Sequence, residues 1–179
     1  LVIPSNRPDC LTEFLAAWQG RGGWDEVILI EDQPERSFVS TAEHHFSWRE
    51  ISKILGEDAW IFSRRDSAIR CFGFLVAHWL GADVVLTLDD DCYPMEGEVD
   101  FFQRHVDAMF GHAKWVSTVP GLRVRGLPYA NAGTMTNVVA NVGLWMGHPD
   151  IDAVSALSMM AENAIPQYGL PCRNWLLPY

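Results

Sequence analysis

An apolar run that ends in three consecutive acids is the feature that most constrains the fold of this chain. Residues 84–88 read Val-Val-Leu-Thr-Leu, and Asp89, Asp90 and Asp91 follow directly. A run with β-branched residues predicts a strand that is buried on both faces of a sheet. Unpaired carboxylates are too costly to bury, so the three acids must lie where the strand ends. In open α/β sheets, this carboxyl end is where ligands bind.

The expected directions of these three side chains suggest a metal site. Alternation along a strand predicts that Asp89 and Asp91 project to one side and Asp90 to the other. Two carboxylates on one side provide hard oxygen ligands for Mn²⁺ or Mg²⁺, and such a metal can neutralise a diphosphate. Asp90 is taken as a further ligand-binding residue. The alternative is that the acids cap a following helix or are simply solvated.

Three other apolar runs predict strands of the same sheet. They are residues 1–4, residues 27–30 and residues 59–62. The second run ends in Glu31 and Asp32, and either carboxylate can accept hydrogen bonds from a base or a ribose. A solvated loop acid is an equal alternative. With helices between the strands, the pattern indicates an α/β layered fold with a mainly parallel central sheet.

Helices with one apolar face are predicted between these strands. Asp9 is expected to cap the first helix, and Ile54 is expected on the inner face of the second. Residues 33–47 show little periodicity and predict a loop that contains one short element of unassigned type. The first helix is expected to carry apolar residues from Leu11 to Trp18, and two further helices are predicted at residues 48–55 and 99–110. Later strands are predicted within residues 115–119 and 135–145.

Basic side chains cluster at the start of a further helix, which precedes the three acids. Asp66 or Ser67 can cap this helix. Arg64 and Arg65 stand at its entrance, and Arg70 lies one turn inside. The free amides of a helix start favour anions, and arginines beside them strengthen a diphosphate or uracil-ribose site. Arg65, Asp66 and Arg70 are therefore candidate binding residues, with a surface ion-pair network as the alternative.

Composition limits the classes of function. The chain has 179 residues, of which 49% are hydrophobic, and this predicts one globular domain over residues 1–179. A net charge of −10 argues against a nucleic-acid or anionic-membrane surface. No membrane span is predicted. The four cysteines are widely spaced and form no zinc pattern, which favours reduced thiols in a cytoplasmic protein. The chain begins without Met, inside an expected strand, and this suggests a piece of a longer protein.

Several short motifs, taken together, resemble one known family. The motifs are Asp66-Ser-Ala-Ile-Arg-Cys-Phe-Gly73, Leu86-Thr-Leu-Asp-Asp-Asp-Cys92, Val124-Arg-Gly126, Gly143-Leu-Trp145 and Pro149-Asp-Ile-Asp-Ala153. With these motifs in this order, the chain resembles the reversibly glycosylated polypeptides, the family of UDP-arabinopyranose mutases. The resemblance covers most of the sequence.

The resemblance implies a GT-A glycosyltransferase-like fold, a UDP-sugar substrate and a divalent metal. It implies an enzyme that interconverts the pyranose and furanose forms of UDP-arabinose. The family's glycosylated arginine, in its Val-Arg-Gly context, corresponds to Arg125, and Trp145 is expected to stack on a sugar ring. The chain departs from the family at Ala132, where a second arginine is usual, and it is expected to lack the family's C-terminal continuation.

Two other functions remain open at this point. One is a metal-dependent GT-A glycosyltransferase with an external acceptor, which the missing second arginine favours. The other is a non-catalytic nucleotide-sugar-binding subunit of a larger assembly. The expected partner is a UDP-sugar in all three cases, with a homo- or hetero-oligomer as a further expectation.

Overall fold

The computed structural model describes residues 1–97, 101–110, 138–142 and 175–178. Its contacts divide the chain into two compact units, Leu1–Phe102 and Gln103–Tyr179. The elements are β1 (Val2–Ser5), α1 (Pro8–Trp18), β2 (Ile28–Glu31), β3 (His44–Phe46), α2 (Trp48–Leu55), 3₁₀ helices at Gly56–Ile61 and Ser67–Ile69, α3 (Arg70–Trp79), α4 (Phe101–Phe110), β4 (Val138–Val142) and β5 (Trp175–Pro178).

A three-stranded parallel sheet, in the order β1-β2-β3, lies at the centre of the first unit. Val2 pairs with Ile28, and Ile28 pairs in turn with His44. Because the strands are parallel, their carboxyl ends meet at one edge, and Ser5 lies beside Glu31. The prediction of an α/β fold with a parallel sheet is therefore confirmed for this unit.

The two faces of the sheet bury different residues because side chains alternate along each strand. On one face, Val2, Ile28 and Ile30 pack with Phe72 and Val76 of α3. The opposite face packs on α1, and its buried cluster consists of Leu1, Ile3, Leu11, Phe14, Trp18 and Leu29. The central strands are thus covered on both sides, as expected for short apolar runs.

The segment before the three acids is not a strand, and that prediction was wrong. Thr87 forms an isolated parallel bridge with Val2, and Val85 is 41% exposed. The Val2 amide donates to the Leu86 carbonyl at 2.8 Å, and the Leu88 amide donates to the Val2 carbonyl at 3.3 Å. Leu86 and Leu88 pack on the α1 side of the sheet. The segment therefore extends along the edge of β1, where only alternate side chains meet the core.

A second predicted strand, residues 59–62, was also wrong, because these residues belong mainly to the 3₁₀ helix Gly56–Ile61. Its Trp60 and Ile61 side chains are 79% and 59% exposed. An apolar run of four residues does not by itself distinguish a strand from a helix. The third strand of the sheet is instead His44–Phe46, in a region predicted to be a loop.

The helix boundaries follow the sequence more closely. In α1, Pro8 occupies the first turn, where its missing N–H has no cost, and Arg7 is the N-cap. Asp9 lies inside the first turn, so its predicted capping role was wrong. The observed limits of α2 equal the predicted ones, and Ser47 caps this helix. Ile54 is 46% exposed, however, and does not lie on the inner face.

Antiparallel pairing is found in the second unit. There, β4 pairs with β5, with Val142 opposite Trp175. The strand β4 falls inside the predicted range 135–145, whereas the predicted strand at residues 115–119 lies outside the described residues. In the part of the chain that the structure describes, no helix has the length and apolar character needed to cross a membrane.

Candidate functional site

A cleft with a volume of about 400 Å³ opens at the carboxyl ends of β1 and β2. The two strand ends are joined by a 2.8 Å hydrogen bond from the Asp32 amide to the Ser5 carbonyl. The other walls come from the chain before α3 and from the three consecutive acids. The charged residues of the cleft are the arginines Arg7, Arg65 and Arg70 and the aspartates Asp32, Asp66, Asp89, Asp90 and Asp91. Three positive charges against five negative charges leave a formal charge of −2.

Asp90 is the buried member of the acidic triplet, with 3% of its surface exposed. The Ser5 hydroxyl donates to its Oδ2 at 2.5 Å, and Arg7 Nε donates to the same oxygen at 3.3 Å. Arg7 Nη2 donates to the other oxygen, Oδ1. Both oxygens of the Asp90 carboxylate are therefore held by Ser5, the last residue of β1, and by Arg7, which follows it. The guanidinium of Arg7 supplies the counter-charge that a buried carboxylate needs.

The two flanking acids lie on the rim of the cleft and are each paired with an arginine. Asp89 accepts a hydrogen bond from Arg70 at 2.5 Å, and Asp91 accepts one from Arg7 at 3.0 Å. All three acids line the same cleft, whereas alternation along a strand would separate Asp90 from its neighbours. The alternation rule does not apply here, because the chain is already in a turn at Asp90 and Asp91.

Arg7 contacts more of the acidic triplet than any other residue described here. Its hydrogen bonds to Asp90, and next the one to Asp91, raise the pKa of its guanidinium above the ordinary arginine value. Arg7 was not recognised from the sequence as a site residue. The usable signal was its position directly after the first predicted strand, at the same sheet edge as the acids.

Arg70, a predicted binding residue, is the most constrained arginine of the cleft. Besides Asp89, it donates from Nε to the Ser67 carbonyl at 2.9 Å and from Nη1 to the Thr87 hydroxyl at 3.4 Å. Each of its three nitrogens therefore has a partner. These contacts connect the start of α3 to the segment that ends in the acids.

Arg64 and Arg65 stack on one aromatic ring. Their guanidinium carbons lie 5.2 and 5.5 Å from the centre of the Trp48 ring, within the range of a cation–π contact. Only Arg65 lines the cleft, because Arg64 turns to the Ser52 hydroxyl at 3.1 Å. Arg65 has a φ of +62°, which non-glycine residues rarely adopt, and this backbone strain accompanies its place in the cleft.

The predicted base or ribose acceptors at the end of β2 occupy different environments. Asp32 lines the cleft, and its Oδ1 accepts a 2.7 Å hydrogen bond from the Trp48 indole. Glu31 is fully buried and is not a lining residue. Its carboxylate accepts from the Ser37 amide and hydroxyl at 2.7 and 2.6 Å, and it contacts His45 Nε2 at 2.8 Å. The structure thus brings only Asp32 to the cleft.

Asp66 has the capping role that its position predicts. Its side chain accepts from the Ala68 amide at 2.8 Å at the start of the 3₁₀ turn that leads into α3. The Ser63 hydroxyl also donates to it. Asp66 lines the cleft, but its carboxylate is engaged in holding the chain that carries Arg65 and Arg70.

The fit of a divalent metal can be judged from the acidic donors of the cleft. Among the described residues, no group of three or more His, Cys, Asp or Glu side chains is arranged to hold a metal ion. Asp89 and Asp91 each keep one carboxylate oxygen without a hydrogen bond in this part of the chain. Mg²⁺ is commonly bound by one or two carboxylates together with substrate phosphates. The acids of the cleft therefore form no complete metal site by themselves, and a metal here would need further ligands from a bound phosphate.

Two predicted site residues, Arg125 and Trp145, lie outside the described residues. Their roles as sugar acceptor and stacking platform remain predictions. The described part of the site therefore consists of residues from the first unit alone.

Comparison with known proteins agrees with the resemblance that the motifs suggested. The sequence model of the family described as reversibly glycosylated polypeptide matches residues 1–165. Similar curated proteins include probable UDP-arabinopyranose mutase 1 of Pisum sativum and UDP-arabinopyranose mutase 1 of Arabidopsis thaliana, both 27% identical over 173 residues. Each match covers 88% of this chain and 46% of the relative, so the chain spans less than half the length of these proteins. The chain belongs to the reversibly glycosylated polypeptide family.

Proposed function

We propose that the cleft binds a UDP-sugar and that the protein acts as a UDP-sugar mutase, interconverting pyranose and furanose forms. The observation that carries this proposal is the meeting of three arginines and three consecutive aspartates at the carboxyl ends of parallel strands. Ligands of open α/β sheets bind at this edge. Relatives named UDP-arabinopyranose mutase support the substrate and reaction class. We also assign the fold to the GT-A type, on the parallel sheet and the adjacent acids.

Each part of the cleft has a role in this proposal. Arg65 has a guanidinium that stacks on Trp48 without a hydrogen bond among the described residues, so its donors are available to phosphate oxygens. Asp32 keeps Oδ2 available for a ribose hydroxyl or base N–H, because the Trp48 indole uses Oδ1. Arg70 fixes Asp89 at the rim.

Asp89 and Asp91 would hold Mn²⁺ or Mg²⁺, with the remaining ligands supplied by the diphosphate and water. A bound divalent cation supplies Lewis-acid stabilisation of the UDP leaving group. The charge of the cleft supports a need for the metal, because a formal charge of −2 repels a diphosphate unless a cation is bound as well.

Arg125 is proposed as the sugar acceptor and Trp145 as a stacking residue, on the family motifs that surround them. A guanidinium stays protonated at neutral pH, so transfer to Arg125 needs a neighbouring base. Transfer of labelled sugar from the UDP-sugar to the protein should disappear in Arg125→Ala. Equal labelling of the variant would remove the acceptor role from Arg125 and leave the nucleotide-sugar site unaffected.

The test of the binding site is calorimetric titration of UDP with and without Mn²⁺. The wild type should bind UDP more tightly with Mn²⁺, and Asp89→Asn/Asp91→Asn should lose that difference. The matched control is Asp58→Asn/Asp83→Asn, which removes two exposed acids outside the cleft and should behave as the wild type. The proposal would be abandoned if the wild type bound no UDP under either condition.

A product assay then separates mutase from transferase chemistry. A mutase returns the sugar to UDP. The pyranose and furanose forms of the UDP-sugar should therefore interconvert without release of free UDP. Steady release of UDP in the presence of an acceptor would indicate a glycosyltransferase instead. UDP binding with no conversion would indicate a nucleotide-sugar-binding chain.

A further inference from the structure

We infer that Arg7 serves the cleft in two ways. It positions the turn at Asp90 and Asp91, and its Nη1 group, which has no partner among the described residues, binds the diphosphate of the ligand. This inference rests on the proposed function, because it names a ligand contact within the same cleft. Arg7 is not part of any motif that suggested the family.

Arg7 has more N–H groups than the two acids use. A guanidinium has five N–H groups on three nitrogens. Nε donates to Asp90, and Nη2 donates to both Asp90 and Asp91. Nη1, with two N–H groups, has no partner among the described residues. Half of the side chain is exposed, at 48%, and the residue lines the cleft. Arg7 can therefore bind an anion without releasing either acid.

The buried carboxylate of Asp90 keeps Arg7 in place when a ligand binds. Asp90 is buried, and its two oxygens are used by Arg7 and the Ser5 hydroxyl. Moving Arg7 away would leave a buried carboxylate without its counter-charge, which is strongly unfavourable. The guanidinium plane is thus fixed by Asp90, and Nη1 is presented from a preorganised position.

Arg7 differs from the other two arginines of the cleft. All three nitrogens of Arg70 have partners, so it is committed to Asp89, Ser67 and Thr87. Arg65 is held by stacking rather than by hydrogen bonds. Arg7 is the one of the three that is both anchored by a buried acid and left with an unused nitrogen.

The main test uses a substitution that keeps the charge of the cleft. In Arg7→Gln/Asp90→Asn, one positive and one negative charge are removed, and the two amides can still hydrogen-bond to each other. We expect at least about tenfold weaker binding of UDP in the presence of Mn²⁺, since a charge-assisted contact is lost. Binding of uridine, which has no phosphate, should be unchanged. A general loss of folded structure would weaken both ligands together, and protection of Arg7 in the wild type separates the direct contact from its positioning role.

The matched control is Arg49→Gln/Glu35→Gln. These residues form an exposed pair at 3.2 Å outside the cleft, so the same charges are removed without touching it. The control should bind UDP and uridine as the wild type does. Unchanged UDP affinity in the Arg7→Gln/Asp90→Asn variant would overturn the inference while leaving the proposed function intact.

A measurement on the wild type covers the case in which the variant does not fold. Phenylglyoxal modifies exposed guanidinium groups, and mass spectrometry follows Arg7 and the exposed Arg49 separately. At ten times the Kd of UDP, about nine-tenths of the sites are occupied, so modification of Arg7 should slow about tenfold. Uridine should give no such protection, and Arg49 should be modified equally throughout. Equal modification of Arg7 with and without bound UDP would refute the ligand contact.

Failure of this inference and failure of the proposed function give different results. If the wild type binds no UDP with Mn²⁺ present, the proposed function falls, and the ligand role of Arg7 falls with it. If the wild type binds UDP but Arg7 is neither protected nor needed for affinity, only the role of Arg7 is lost.

Discussion

Gly73→Ala should destabilise the first unit, because α3 packs on the sheet through this glycine. A Cβ at position 73 would lie 2.4 Å from Val2 Cγ1 and 3.3 Å from Ile30 Cγ1. Both neighbours are fully buried, and a β-branched valine has few other rotamers. Relief therefore requires the helix to move. Overpacking of this kind costs up to about 3 kcal/mol, and alanine regains about 1 kcal/mol of helix propensity. The expected net loss is about 2 kcal/mol.

Urea unfolding of the full chain measures this loss directly. Cys71→Ala, at an exposed position of the same helix, should change the free energy of unfolding by less than about 0.5 kcal/mol. In a double-mutant cycle, Val2→Ala should relieve part of the cost of Gly73→Ala, since the two sites are in contact. UDP affinity should fall as well, because α3 begins at Arg70. A Gly73→Ala variant as stable as the wild type would refute the packing argument.

Three further predictions concern acids and their partners in the first unit. Ser47→Ala should destabilise the chain by about 1–2 kcal/mol in urea unfolding, since it removes the cap of α2; no change would exclude a role of this cap in stability. Burial alone would raise the pKa of Glu50, but hydrogen bonds from Ser47 outweigh it and lower the pKa below 4.5. The ionised Glu50 carboxylate therefore stabilises the folded chain fully above pH 4.5, and this stabilisation is lost as the pH falls through the lowered pKa of Glu50. Ser47→Ala should flatten the curve of unfolding free energy against pH in this range. Glu31→Gln should lower the free energy of unfolding by about 1–3 kcal/mol, because the new amide cannot accept from every donor around it. UDP affinity should stay unchanged. A selective loss of UDP binding would instead place Glu31 in the ligand site.

The features that could be predicted from sequence are those set by neighbouring residues. The limits of α2 follow from its periodicity and from Gly56 directly after it, and the first and last residues of this helix were predicted correctly. The first two strands are buried on both faces and are therefore visible as apolar runs. By contrast, β3 is three residues long and includes His44 and His45, so no local pattern marks it. Its place in the sheet is decided by pairing with β2.

The sequence predicted the edge of the sheet at which the site lies, but not the contacts between the residues of the site. The three consecutive acids line one cleft together with Arg65, Arg70 and Asp32, as expected for the carboxyl ends of parallel strands. The contacts of Arg7 were not foreseeable, because 83 residues separate it from Asp90. Nor could the sequence distinguish Glu31 from Asp32, since adjacent strand residues point to opposite sides and the register is set by the fold.

The position of the acidic turn depends more on side chains than on the sheet. The preceding segment is joined to β1 by two backbone hydrogen bonds, both at Val2, and not by a continuous ladder. Beyond it, Arg70 holds Asp89 and Arg7 holds both Asp90 and Asp91. The two arginines come from different elements, one after β1 and one at the start of α3. A substitution at either should therefore displace the rim carboxylates without unpairing the sheet, so that metal and diphosphate binding change while the parallel strands remain.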